Sequence, residues 1–505
     1  MRQIIKTIFS SGFAAVLNFF ISLLIVPLIT EKLGTEAYGF VSLANNFISY
    51  ASILTLALNS YATRFISIEY HKGNIEKTRE YYSSVVWANI ALSALMLLIG
   101  IIVSVKLEYC LKIPMYLVAD VKILFALVFA NFIILNIGNS FAPSAYVHDK
   151  LGLAGVYKSI AYGMEIAVFV LLFAVVTPKL WYVGIAYIVY TIVISVSNYY
   201  IFYRYSTGIH ISVDKFSITA IKKLVVSGVW NSINSLGNTL NSGLDLLITN
   251  MMLDAVTMGE LAIAKTMGTI STSIYQLIAH AFQPLLLKTY AKNENHSLLE
   301  KLFLSMKVSG LFVGSFFVIF AIQGKFFLKL WVPTQNIEKV HILAVITLLS
   351  SVLEGVMGPL YYIYTLTVKN KIPCIVTVSG GILNVVAMYI LLKETSLGVY
   401  AVVGTTAIIM IFINLVTNPI YMAKCLNMKW TTFYPVIMKY IFFIVVSGLC
   451  CLCTTKWFIA KNNVQLFLTL VIELLVCVGV YIVIMFDKKE RDFIVKKIRK
   501  LTCHI

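Results

Sequence analysis

The strongest constraint in this sequence is its repeated apolar runs. They fall at about 8–30, 39–61, 83–105, 120–143, 154–177, 181–203 and 224–250, and then at 258–284, 303–323, 341–365, 373–392, 397–420, 437–456 and 464–486. Most match the roughly 20 predominantly apolar residues that an α-helix needs to cross a bilayer. In hydrocarbon the backbone must satisfy its own hydrogen bonds, so runs of this length imply helices or closed barrels. The runs are too long for barrel strands and lack their two-residue alternation. The expected fold is therefore an all-α membrane protein of about fourteen transmembrane helices.

The remainder of the 505-residue chain is too short for a separate catalytic domain. Only 12% of residues are charged, against about 25% in soluble domains, and the mean hydropathy is +0.89. The net charge of +18 is read as cytoplasmic loop charge rather than a nucleic-acid footprint. With the N-terminus inside, 28 of the 40 Lys and Arg residues fall in inner segments and 11 in outer ones. This bias places both termini in the cytoplasm, which an even span count allows. No cleavable signal pattern precedes the first run. The cysteines show neither a disulfide framework nor paired zinc-ligand spacing.

An internal repeat is weakly legible. At an offset of 216, Asn18 matches Asn234, Pro143 matches Pro359, Tyr146 matches Tyr362 and Asn198 matches Asn414. Spans one to six and seven to twelve also share loop lengths, each with a short outer turn followed by a long basic inner loop. The expected organisation is a six-helix bundle over 1–215, a parallel repeat of it over 216–425, an appended hairpin over 426–486 and a basic cytoplasmic tail over 487–505, with a central cavity between the halves. In the tail, Ile494, Ile498 and Leu501 share one helical face opposite Lys and Arg. A basic amphipathic helix on the inner leaflet and a solvated charged tail both fit it.

Four spans carry polar stripes. In span seven, Asn231, Asn234, Asn238, Asn241 and Asp245 step by 3, 4, 3 and 4, placing five polar groups on one face of a regular helix. Span eight carries Lys265, Thr269, Thr272, Gln276 and His280 at similar steps. Span two carries Ser42, Asn45, Ser49 and Ser52, and span one carries Ser11, Asn18 and Ser22. Interhelical hydrogen bonding accounts for span one and could serve span two. The rows in spans seven and eight exceed what packing needs and predict a water-filled cavity.

Charged residues add to this pattern. Asp245 and Lys265 fall near the outer ends of adjacent spans, positioned to pair. Arg64 ends span two at the inner side, and His280 lies toward the inner end of span eight. Cations in a polar cavity would attract an anionic group such as a diphosphate. Arg64 also fits ordinary positive-inside placement, and Lys265 also fits snorkelling. Glu165 and Glu354, in spans five and ten, read either as proton or cation sites or as satisfied interhelical acids.

The chain resembles the polysaccharide flippases of the multidrug/oligosaccharidyl-lipid/polysaccharide exporter superfamily. The local markers are Leu33-Gly34 and Tyr38-Gly39 between spans one and two, and Asp245 within LDLLITNMMLDAVTMGELAIAK. The chain departs from the usual pattern at Met258-Gly259-Glu260-Leu261, where Gly-x-Tyr is commoner. The resemblance implies a non-enzymatic flippase that moves an undecaprenyl-diphosphate-linked oligosaccharide by alternating access, coupled to H+ or Na+, without a cofactor. Arg64 and Lys265 would meet the diphosphate. Asn231, Asn234, Asn238 and Asn241 would meet sugar hydroxyls, and Asn45, Gln276 and His280 complete the expected binding set. Asp245, Glu165 and Glu354 are the expected gating or ion-coupling residues. Implied partners are membrane lipids and the polymerase and glycosyltransferases of the same pathway, with no nucleic acid. The rivals are a cation-coupled drug exporter, which predicts an acidic, aromatic cavity, and a membrane polymerase or ligase. For the latter, the longest outer loop (324–340) offers no telling acid–base pair.

Overall fold

Apolar content and internal hydrogen bonding make the described residues of this chain predominantly helical. The computed structural model describes residues 2–457, 463–488 and 490–491. The helices are α1 (Arg2–Leu33), α2 (Thr35–His71), α3 (Ile75–Cys110), α4 (Val118–Asn139), α5 (Pro143–Val147) and α6 (Leu151–Val175). They continue with α7 (Tyr182–Tyr205), α8 (Ile218–Asn238), α9 (Asp245–Met252), α10 (Ala255–Ala291), α11 (Asn295–Trp331) and α12 (Ile337–Met357). The last six are α13 (Tyr362–Thr367), α14 (Lys371–Glu394), α15 (Val399–Phe412), α16 (Asn418–Cys425), α17 (Tyr434–Trp457) and α18 (Asn463–Met485). No strand occurs among the described residues.

Eleven stretches of the described residues are long and apolar enough to cross a membrane. Expected spans one, seven and eight are not among them and correspond to α1, α8 with α9, and α10. In α8–α9 and α10 the polar stripes themselves dilute the hydropathy. Most of the expected amphipathic tail lies outside the described residues.

The helices outrun the apolar runs. The basic stretches 64–79 and 288–307, expected as long inner loops, are helical almost throughout. They are interrupted only by tight turns at Lys72–Asn74 and Lys292–Glu294. Hydropathy reads where the bilayer ends, whereas a helix continues until its backbone is capped. At the first turn Gly73 is left-handed (φ 75°), and the Asn74 side chain accepts from the Lys77 amide at 3.1 Å to start α3. Left-handed residues recur at corresponding turns: Gly73 and Asn293, Asp149 and Val368, Gly208 and Asn427. Each pair is 219 or 220 residues apart, so the letter matches at 216 do not mark equivalent positions at these turns.

The chain divides into two compact units, 1–263 with 377–402, and 264–376 with 403–505. In unit 1, α2 lies tight against α8. A Cβ on Gly228 would stand 2.0 Å from the Ala57 carbonyl oxygen, and the Ser232 hydroxyl donates to the Ile53 carbonyl at 2.8 Å. The Tyr38-Gly39 marker has a packing explanation too. A Cβ on Gly39 would come within 2.9 Å of the Gly259 backbone, so the helix starts meet glycine to glycine. In unit 2, α11 packs on α12, α17 and α18 around buried Met306, Tyr440, Phe443 and Tyr481. There Gln323 donates to the buried carboxylate of Glu473 at 2.7 Å. At the start of the tail, Lys307 holds Glu490 at 2.8 Å and Lys439 holds Asp487 at 3.4 Å.

Candidate functional site: the broken span seven

Span seven is not one regular helix. Between α8 and α9 lies a π-helical turn, Thr239–Gly243. Such turns loosen the helix by one residue and free backbone carbonyls, and they are frequent at functional sites. Here Leu244 N donates back to the Thr239 carbonyl at 3.1 Å. The Gly243 carbonyl accepts both from Asn46 Nδ2 at 3.1 Å and from the Tyr50 hydroxyl at 2.6 Å, two donors on α2. Asn46 and Tyr50 are one helical turn apart and converge on one acceptor.

The insertion also rotates the residues downstream of it, so the five-residue row is not a single surface. Asn231 and Asn234 are half-buried and Asn238 is exposed, while Asn241 and Asp245 are buried at 1% and 3% exposure. Asn241 turns inward toward α14. Its amide nitrogen donates at 2.8 Å to both the Gly237 and the Thr377 carbonyls, and Asn384 Nδ2 donates to the Asn241 carbonyl at 2.7 Å. Gly237 and Gly381 permit this approach. A Cβ on Gly381 would come within 2.5 Å of Leu240 Cβ. Asp245 therefore opens α9 just past a break whose polar groups are fixed from two sides by α2 and α14. The carboxylate sits in the first turn of α9.

The C-terminal end of α9 is also clamped. Asn250 accepts from Lys112 N at 2.9 Å and donates to Lys112 O at 3.2 Å, and Lys112 Nζ donates to the Leu253 carbonyl at 2.7 Å.

The remaining expected residues fall in both units. In unit 1, Asn45 donates to the Tyr187 hydroxyl at 3.0 Å, and Glu165 is buried in α6. Arg64 is exposed on α2, its guanidinium 5.9 Å from the Tyr61 ring centre. In unit 2, Lys265 is half-buried, Gln276 and His280 are exposed on α10, and Glu354 is half-buried on α12, where it interacts with the Tyr275 hydroxyl. A second π-helical turn, Ile413–Thr417, is braced there by Tyr361 donating to Asn414 at 2.6 Å and Tyr364 donating to Asn418 at 2.9 Å.

Sequence reasoning missed Asn46, Tyr50, Asn384 and both π-turns. Asn384 had a signal, as a lone amide inside an apolar run. The π-turns had none, since their letters fit an ordinary helix. On the basic side of unit 1, Lys215 and Arg79 reach the Glu76 carboxylate at 2.6 and 3.0 Å. The hydrogen bond from Lys215, then its charge, holds this carboxyl below its usual range.

A family described as "Polysaccharide biosynthesis protein" matches residues 4–290. An uncharacterized membrane protein of Bacillus subtilis (strain 168), EpsK, is 27% identical over 495 residues, 97% of each chain. A lipid II flippase, MurJ, in an inward closed conformation superposes with a TM-score of 0.67 at 15% identity, over 95% of this chain and 98% of that one. An inward-facing multidrug resistance MATE family transporter of the MOP superfamily gives 0.63 at 12% identity, over 81% of this chain and 96% of the other. These likenesses establish a MOP-type transporter fold.

Proposed function

The chain belongs to the polysaccharide biosynthesis protein family, and from that premise we propose that it is a flippase for a lipid-linked oligosaccharide used in building a surface polysaccharide. The observation that carries this reading is the broken span seven, an amide-rich helix whose break sets a buried carboxylate beside fixed amides inside a membrane fold. Amides both donate to and accept from sugar hydroxyls, and a buried acid suits ion coupling. The substrate class is an undecaprenyl-diphosphate-linked oligosaccharide, and the route is from the inner to the outer leaflet of the bacterial inner membrane, with both termini cytoplasmic. Transport proceeds by alternating access, coupled to H+ or Na+. Asp245, Glu165 and Glu354 are the coupling candidates. Arg64 and Lys265 meet the diphosphate, while Asn231, Asn234, Asn238, Asn241, Asn45, Gln276 and His280 meet the glycan. The polymerase and glycosyltransferases of the pathway are the expected functional partners.

Two features support a flippase over a drug exporter. The likeness to the flippase structure covers 95% of this chain, against 81% for the multidrug transporter. The stripe is rich in amides rather than acids. The buried acids Glu165 and Asp245 would equally suit a cation-coupled exporter, so the test separates the two. Lys265→Ala should lose surface-glycan production at unchanged protein level and leave resistance to toxic organic cations unaltered. Full glycan production by that variant would sink the assignment of Lys265. Cation resistance conferred by the unaltered protein, without any effect on glycan, would favour the exporter.

A further inference from the structure

The basic end of unit 1, around the α2–α3 turn, contains a chain of hydroxyls that the proposed transport chemistry does not use. The Tyr82 hydroxyl on α3 meets Ser144 Oγ on α5 at 2.8 Å. Ser144 Oγ meets Ser206 Oγ, at the end of α7, at 3.1 Å, and Ser206 Oγ meets His148 Nε2 at 3.1 Å. Tyr82, Ser144 and Ser206 are buried, and only His148 reaches the surface.

Packing alone does not require this chain, because unit 2 builds the same place without it. The left-handed turn residues supply the register. Tyr82 follows Gly73 as Leu302 follows Asn293, Ser144 precedes Asp149 as Ile363 precedes Val368, and Ser206 precedes Gly208 as Cys425 precedes Asn427. Leu302, Ile363 and Cys425 are all buried in one apolar cluster. Where unit 2 puts three apolar side chains at these positions, unit 1 uses a hydrogen-bonded row that ends on a histidine.

We infer that His148 is an acid-sensitive latch: neutral, it closes the row that joins the ends of α3, α5 and α7, and protonated, it releases them. The row runs in one direction when His148 Nε2 accepts. Tyr82 then donates to Ser144, Ser144 to Ser206, and Ser206 to the imidazole. An imidazolium has no free lone pair and can only donate. Protonation removes the acceptor at the end of the row: either the row reverses and strands the Tyr82 hydroxyl proton, or Ser206 accepts from both sides and its own proton is stranded, and an unmet donor in the interior is costly.

The surroundings work in the same direction. His148 is faced by the Tyr70 ring of α2 at 5.0 Å, by the Tyr205 ring of α7 at 6.4 Å, and by His71 and Lys150, with Asp149 next to it in the chain. Lys150 itself lies 4.6 Å from the centre of the Tyr205 ring. Burial, then the neighbouring His71 and Lys150, push the His148 imidazole below its ordinary value of 6.5. The open state therefore takes the proton more readily than the closed one. The latch is whole above pH 6.5 and is lost as the pH falls from there toward the depressed value.

Hydrogen exchange of the full-length protein in lipid nanodiscs at pH 7.5 and 5.5, corrected for intrinsic rates, tests this. Peptides spanning 140–150 and 203–212 should lose protection several-fold at pH 5.5. The matching peptides of unit 2, 360–369 and 422–430, should not change. His148→Gln should abolish the pH dependence. If that variant accumulates poorly, Ser206→Ala, which cuts the row from the imidazole, should do the same. Equal protection at both pH values in the unaltered protein, or an unchanged pH response in both variants, would overturn the latch.

Discussion

The Tyr50 hydroxyl donates to the Gly243 carbonyl at 2.6 Å, joining the middle of α2 to the one place where span seven is not α-helical. Asn46 donates to the same oxygen at 3.1 Å. A π-turn frees carbonyls that hydrocarbon cannot satisfy, so these side chains are what makes the break tolerable.

Tyr50→Phe should therefore cost about 1 kcal/mol, since Asn46 still meets the carbonyl, and Tyr50→Phe with Asn46→Leu should cost more than the sum of the singles. Thermal unfolding in detergent reads both. Additive or negligible losses would mean that water reaches Gly243.

Asp245→Asn keeps the size and removes the charge of the buried carboxylate. The variant should accumulate normally and lose ion-coupled glycan export, while Asn238→Ala, at an exposed position, should retain fold and coupling and weaken substrate handling. Flippase assays in proteoliposomes under an imposed H+ or Na+ gradient separate the two. Full gradient response in Asp245→Asn would remove that residue from coupling.

Close packing at Gly228 predicts a contrast between two glycines. Gly228→Leu drives a side chain into the Ala57 carbonyl, which lies 2.0 Å from the ideal Cβ position, and should cost about 1–3 kcal/mol or more. Gly163→Ala in α6 meets nothing within 4 Å and should be neutral or stabilising by up to about 1 kcal/mol. Melting temperatures of the two purified variants check the ordering.

In unit 2, Glu473→Leu would leave the Gln323 amide without its carboxylate and should cost about 1–3 kcal/mol. Adding Gln323→Leu should recover much of that loss, because two apolar partners need no hydrogen bond. A double variant no better than Glu473→Leu alone would mean that Gln323 finds another acceptor.

The Glu76 cluster gives a pH prediction of known sign. Lys215 holds the folded carboxyl below its ordinary value of 4.5, so its contribution is present above that value and fades as the pH falls through the folded one. Carbon-detected NMR titration of Glu76 should show the depressed midpoint, and Lys215→Gln should move it upward. High salt should do the same, since the pair is exposed.

Much of the fold was legible because a bilayer imposes a simple code. Each expected span has a helix at its place, from α1 to α18, since a backbone in lipid has few alternatives. The basic stretches 64–79 and 288–307 were misread as loops because charge marks the membrane surface, not the end of hydrogen bonding. The site was half legible. The repeated asparagines pointed to span seven, but the assumption of 3.6 residues per turn put Asn238 and Asn241 on one face, whereas one is exposed and the other buried.

The sequence by itself determined that this chain is a multi-span helical membrane protein with polar residues concentrated in a few spans. Composition and run length suffice for that, because they are properties of each segment alone. Tertiary structure decided where span seven breaks, and that Asn46, Tyr50 and Asn384 surround the break. It also decided that Tyr82, Ser144, Ser206 and His148 form one row in unit 1, where unit 2 places the apolar side chains of Leu302, Ile363 and Cys425. Those outcomes depend on donors and acceptors from distant segments meeting within about 3 Å, and no local pattern encodes such a meeting.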